Sequence, residues 1–256
     1  MEILKDFKCD NLRVRVFDSR TTMGKYAGQE AAAHIKKLLA EKETINVMFA
    51  AAPSQNETLA ELLNDEGIDW TRINAFHMDE YVGLDASHPA GFRNFLQRAI
   101  FGKKPFKSVN LLNGNAADPE EEAARYSKLL QDNPLDVCLL GVGENGHIAF
   151  NDPPVADFND SKLVKVVELD QICRNQQVHD GCFESIDQVP THALSVTVPG
   201  LTGAKAMFCT VPAPTKANAI KHMVEDEIST ACPATIMRKH ENAQLYVDAD
   251  AGKYIL

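Results

Sequence analysis

An apolar stretch that ends in glycines, followed by an imidazole and then a carboxylate, can carry acid–base chemistry. Residues 139–154 have that order, with Gly141, Gly143 and Gly146, then His147, then Asp152. A carboxylate close to a histidine fixes the ring tautomer and stabilises its charged form, which is what proton movement near neutral pH requires. Three further segments carry residues of the same kind. Asp79 and Glu80 are adjacent, and neighbours on an extended chain point opposite ways, so one can face a ligand while the scaffold holds the other. An aspartate in a closed cleft has a raised pKa and suits proton transfer at carbon; a solvated loop has the same sequence. Residues 51–58 include Ser54, Gln55 and Asn56 ahead of an apolar run at 59–63. Ser54 or Asn56 is placed to cap a helix there, and the free amides of a helix start attract anions, although an ordinary polar turn reads identically. Lys216 stands in the first turn of a helical stretch reaching residue 224, where the helix dipole disfavours a cation and a bound anion would offset the cost. Asp79, His147 and Lys216 together imply proton transfers on a small anionic molecule.

Such residues meet only if the intervening elements bring them together. Strand-length apolar runs occupy residues 12–17, 45–51, 71–77, 135–140, 163–169, 193–198, 206–211 and 245–247, with helical segments such as 22–39 and 118–130 between them. Pro119 and three glutamates mark a helix start in the latter. The alternation predicts an α/β fold with one largely parallel sheet running through a single domain, residues 1–256. Ligands of such sheets sit beyond the carboxyl ends of strands, where the four loops lie. Gly141, Gly143 and Gly146 also satisfy the dinucleotide pattern G-x-G-x-x-G, and Glu168 and Asp170 fall where a ribose-binding acid is wanted. Pro153 and Pro154 forbid the long helix that the pattern needs, so no nucleotide cofactor is expected. No third ligand accompanies His147 at metal-site spacing, and no metal is expected.

Composition narrows the partners. The 256 residues are 45% hydrophobic and 24% charged, with a formal charge of −10 that opposes nucleic acid and anionic membranes. A small phosphorylated ligand is compatible, since one lysine and a few amides hold a phosphate whatever the global charge. The N-terminus lacks a signal-like apolar stretch, no window approaches 18 consecutive apolar residues, and a cytosolic location is expected. Six cysteines form no C-x-x-C pair and read as free thiols, with Cys138 and Cys209 inside apolar strands.

The four loops, in this order, resemble the glucosamine-6-phosphate deaminase/isomerase family, which is related to the 6-phosphogluconolactonases. The match covers nearly the whole chain and is most specific at residues 78–84, with His88-Pro89 beyond, and at 141–153. Tyr81 stands where lactonases typically have arginine, which favours the amino-sugar branch. The resemblance implies a Rossmann-like fold with helices on both faces of the sheet. It also implies conversion of an amino-sugar 6-phosphate, glucosamine or galactosamine, to a ketose 6-phosphate and ammonia without a cofactor. Asp79 would carry the proton between C1 and C2, and His147 would open the sugar ring with help from Asp152 and Asn145. The ligand contacts expected around them are Ser54, Gln55, Asn56, Glu80, Gly146, Gln177 and Lys216.

Two departures carry expectations of their own. The family usually has aspartate at Asn145 and glutamate at Asp152, so His147 is expected to be less well supported and differently aimed. Glu57 brings an anion into the phosphate loop, and the family's phosphate-gripping arginine, which falls between Gln176 and Gly181, is absent, leaving Arg174 as its replacement. Lactone hydrolysis with His147 activating water, and a non-catalytic sugar-phosphate sensor, are the competing activities. Some relatives are hexameric, so a homo-oligomer is compatible with the family.

Overall fold

All eight apolar runs become strands, and three more segments join them, in the computed structural model, which describes residues 2–256. In chain order the first half comprises β1 (Ile3–Cys9), β2 (Leu12–Phe17), α1 (Arg20–Glu41), β3 (Ile45–Phe49), α2 (Asn56–Asn64), β4 (Ile73–His77), β5 (Asp79–Tyr81), α3 (Phe92–Leu96), β6 (Ser108–Asn110) and α4 (Pro119–Asp132). The second half comprises β7 (Val137–Leu140), β8 (Val164–Glu168), α5 (Gln171–His179), β9 (His192–Val196), α6 (Val198–Thr202), β10 (Ala206–Val211), α7 (Ala217–Glu225) and β11 (Ala243–Asp248).

The main sheet has the order β1-β2-β11-β10-β7-β3-β4-β6, parallel throughout except for the β1–β2 hairpin. From β3 the chain steps outward through β4 to β6, then returns to β7 and steps the other way through β10 to β11. The strand order therefore reverses between β3 and β7, which is where a crevice opens at the carboxyl ends of a parallel sheet. Helices cover both faces. Met23, Ala27 and Ile35 of α1 and Leu59 and Leu62 of α2 pack with Val47 and Leu139 on one side. Ala123, Tyr126 and Leu130 of α4 and Ile220 and Met223 of α7 pack with Met48 and Leu140 on the other. Alternate residues of β3 and β7 thus enter opposite cores, as period-two side chains must.

Local signals act as read for α4, where Asp118 accepts from the Glu120 and Glu121 N–H groups and Pro119 opens the helix. The contact between α1 and α2 depends on glycine. A Cβ on Gly24 would stand 2.2 Å from Glu57 Cβ, and one on Gly28 would stand 2.5 Å from Glu61 Cβ. All six cysteines are free and Cys138 and Cys209 are buried. No helix among the described residues is long and apolar enough to cross a membrane.

The expectation of one sheet through the whole chain is corrected. Residues 163–169 and 193–198 supply β8 and β9, which form a separate three-stranded sheet in which β9 pairs antiparallel with β8 on one side and with β5 on the other. Apolar content marks a strand without naming its partner. The short polar β5, residues 79–81, that anchors this second sheet carries no apolar pattern to announce it.

Candidate active site

Asp79 owes its position to β5. It pairs with Ser195 of β9, and its side chain lines a cleft of about 370 Å³ at the reversal point of the main sheet. Asp79 is only 7% exposed. Burial, and then the neighbouring charge of Glu80, push its carboxyl well above the usual carboxylate range. Glu80 points the other way. Its carboxylate accepts from the backbone N–H groups of Tyr81, Phe92 and Arg93 at 3.0, 3.0 and 2.9 Å. Helix α3 has no side-chain cap of its own at Gly91, so Glu80 serves as one from a different strand. Burial raises Glu80 while these three amides oppose the rise. Glu80 was expected around the ligand; the structure instead makes it the rivet between β5 and α3.

His147 projects from the glycine turn that follows β7. A Cβ on Gly143 would fall between 2.1 and 2.4 Å from three atoms of the imidazole, so only glycine admits the ring there. Gly146 has φ of 82°, and its missing side chain makes room for Cys232 rather than for a ligand. Asn145 Oδ1 lies 2.7 Å from His147 Nδ1, and Asp152 Oδ1 lies 2.9 Å from the same nitrogen. Two acceptors around Nδ1 place the proton on it and leave Nε2 as the reactive nitrogen, and His147 lines the cleft.

The shorter Asp152 still reaches the ring, and it is fully buried. Burial alone would raise Asp152, but the charge and hydrogen bond of His147, the Asn145 amide and the Asp170 N–H together hold it below the usual range. Asn145 also has a role of its own. Its amide nitrogen donates to Asp152 at 3.0 Å and to Asp170 at 3.1 Å, so it separates two carboxylates where a third would otherwise stand. Asn145→Asp should destabilise the protein by about 1–3 kcal/mol at neutral pH, since both carboxylates lose their donor and gain a like charge. That deficit should shrink on acidification, when the new carboxyl holds a proton to donate. Melting temperatures of both proteins between pH 5 and 8 measure it, and a constant difference would refute the account.

Spacing gave no third donor beside His147, whereas the fold brings Cys173 of α5 close, its Sγ and the His147 and Asp152 donors all lying within 4.8 Å of one another. Burial, and then Asp152, push the Cys173 thiol well above its ordinary value. Without a metal, burial therefore favours the protonated thiol beside Asp152.

The cleft also holds a buried cation. Lys216 is 5% exposed, lines the cleft, and its Nζ has no hydrogen-bond partner among the described residues. Burial pulls its pKa below the ordinary lysine value, with Asp180 and Glu144 opposing. Ala213, three residues earlier, has φ of 87°, and Ala149, two residues after His147, has φ of 48°. Both strained alanines line the cleft. Ser54 and Gln177 line it as well.

Three further expected ligand contacts, Gln55, Asn56 and Arg174, lie elsewhere or act otherwise. Gln55, not Ser54 or Asn56, holds the cap position of α2 and uses no side-chain cap. Its buried amide bonds the carbonyls of Leu140 and Thr210 and accepts from the Thr210 hydroxyl, tying β7 to β10 beneath the cleft. Asn56 is exposed at the start of α2. Arg174 does not replace the missing arginine, because its Nη2 donates to the carbonyls of Ile186 and Val189 and braces the turn after α5. Glu57 is not an unopposed anion, since Arg20 Nε donates to it at 2.7 Å.

Sequence reasoning missed Arg20, Arg98, Gln176 and Asp180, all of which line the cleft. Arg20 was findable: it follows the first predicted strand, and the rule that selected the other four loops applies equally to that one.

Fold and cleft define a doubly wound α/β protein whose reversal point gathers a buried carboxyl, an oriented imidazole and a lysine without a partner among the described residues. Its relatives agree. Residues 18–247 match the profile of the glucosamine-6-phosphate isomerases/6-phosphogluconolactonase family, and the chain belongs to that family. It is 34% identical to a glucosamine-6-phosphate deaminase of Listeria welshimeri over 235 residues, 92% of this chain and 98% of that one. A glucosamine-6-phosphate deaminase of Bacillus cereus is 34% identical over 85% of this chain and 80% of its own. Among solved structures, a monomeric glucosamine-6-phosphate deaminase superposes with a TM-score of 0.85 at 27% identity, covering 94% of this chain and 98% of that one. A 6-phosphogluconolactonase from Thermotoga maritima has a TM-score of 0.73 at 19% identity, over 92% of this chain and 98% of that one, and shares the fold.

Proposed function

We propose that this protein is an amino-sugar-6-phosphate deaminase/isomerase acting in the cytosol on glucosamine or galactosamine 6-phosphate. The observation that carries the reading is the convergence of Asp79, His147 and Lys216 on one cleft, from three segments far apart in sequence. The deaminase relatives support the substrate class. In this reading Lys216 and Ser54 receive the phosphate, and Gln177 contacts the sugar.

His147 Nε2 moves the proton between the C1 hydroxyl and the ring oxygen that opens the pyranose, while Asp152 and Asn145 steady Nδ1–H. Asp79, as carboxylate, takes the hydrogen from C2 of the open aminoaldose. As carboxylic acid it then returns a proton to C1, so the residue ends as it began. The product is a ketimine, which water hydrolyses to ketose 6-phosphate and ammonia. A buried aspartate with a raised pKa is suited to both halves of this transfer, since general catalysis works best when the pKa approaches the working pH. Lactone hydrolysis would need no proton relay at carbon, and the lactonase neighbours, at 19% identity or less, share only the fold with this chain.

The test is release of ammonia and ketose from a panel of phosphorylated and free hexosamines. Stoichiometric release from a hexosamine 6-phosphate is the expected result. Tight binding without turnover, or turnover of a sugar lactone alone, would overturn the proposal.

A further inference from the structure

We propose that Arg20, at the start of α1, is a substrate-contacting and specificity-determining residue that joins Lys216 in holding the anionic end of the ligand. This rests on the sugar-phosphate reading above. A phosphate monoester carries between one and a half and two negative charges near neutral pH, roughly twice what one lysine neutralises. The cleft also contains Asp180, and no arginine reaches it from α5. A second cation brings the site closer to charge balance, and Arg20 lines the same cleft.

Its guanidinium is fixed in advance. Nε donates to Glu57 Oε1, and Nη2 donates to the carbonyl of Pro53, which leaves the Nη1 end of the fork for a ligand. A planar fork braced on one edge suits bidentate recognition of phosphate oxygens by the other. Position agrees with charge. A Cβ on Gly141 would stand 3.3 Å from both Ser54 Oγ and the Thr210 carbonyl, so the turn beneath Arg20 abuts the end of β10, whose loop carries Lys216. Arg98, the other arginine of the cleft, lies just past α3, is exposed and donates to the Pro89 carbonyl. The same pairing explains why Glu57 is tolerated in this loop. Its carboxylate serves as the brace for Arg20, and Gly24 lets α2 come close enough to form the pair.

The experiment compares wild type with Arg20→Ala and Arg20→Lys. KM for a hexosamine 6-phosphate should rise about 10- to 100-fold in Arg20→Ala, the range for losing hydrogen bonds to a charged group, with kcat nearly unchanged. Inorganic phosphate should inhibit and thermally stabilise Arg20→Ala more weakly by a similar factor, and Arg20→Lys should recover part of both losses. The kcat/KM for the unphosphorylated hexosamine should not change. Equal losses on phosphorylated and free sugars, or an unchanged KM, would overturn the inference and leave Arg20 a structural partner of Glu57. Phosphate binding by wild type needs no turnover. If phosphate binds in an Arg20-dependent way and no hexosamine 6-phosphate reacts, the deaminase reading falls while this one stands.

Discussion

Asp79→Asn protein is expected to release ammonia about 10²- to 10⁴-fold more slowly than wild type, the range for losing a positioned general acid–base. The same protein should melt at a higher temperature. Both effects follow from burial. The folded protein holds Asp79 well above the usual carboxylate range, first because the group is desolvated and then because Glu80 is next to it. In the unfolded chain its pKa returns to about 4.

Below that value both states are protonated and the group costs nothing. As pH rises the unfolded state releases its proton while the folded state does not, so stability is lost progressively until the raised folded value is passed. Asparagine has no proton to release, so its advantage should be absent near pH 4 and grow toward alkaline pH, reaching about 1–2 kcal/mol. Ammonia assays and melting curves across pH 4–9 measure the two together. Wild-type turnover in Asp79→Asn would remove the residue from the reaction, and a melting advantage that does not grow with pH would remove the electrostatic explanation.

Glu80→Ala should destabilise the fold by about 3–5 kcal/mol, a large share of the 5–15 kcal/mol by which domains are usually stable. Glu80 is 2% exposed and accepts three backbone donors. Removing it leaves the Tyr81, Phe92 and Arg93 amides without a partner, and unpaired buried donors cost about 1–3 kcal/mol each before water or relaxation recovers some of it. Glu80→Gln should be intermediate. One oxygen can still accept from Tyr81 and Phe92, but the new NH₂ group meets the Arg93 N–H head-on. Urea unfolding midpoints would order the proteins wild type, Gln, Ala. A Glu80→Ala protein of unchanged stability and weakened sugar binding would instead return Glu80 to the ligand.

The chemistry-bearing loops were legible because glycine, histidine and carboxylate at the end of an apolar run are local signals, and the parallel order of β3, β7 and β10 follows from alternation. What the sequence withheld was non-local. Arg174 looks like a phosphate ligand by proximity in the chain, yet the carbonyls that satisfy it, on Ile186 and Val189, lie beyond the helix it belongs to. Gln55 looks like part of an anion loop, and only the approach of β7 to β10 reveals why a buried amide is needed there. Cys173 joins Asp152 from another element, which no spacing rule could anticipate. The role of Asn145 was invisible for a related reason: substitution of an acid by an amide reads as a loss until Asp170 is seen beside it.

That amide has a mechanical consequence. Asp170 is the residue from which α5 begins, and Asn145 clasps it to Asp152 on the histidine loop. A second clasp, the Glu144 N–H donating to Gln176 Oε1 at 2.8 Å, lies further along α5. Gln176 and Gln177 form part of the cleft wall, so the helix that touches a bound molecule and the turn that aims the imidazole are fastened at two points. Any tilt of α5 toward an occupant drags His147 with it, which makes contact at the wall and alignment of the ring a single motion.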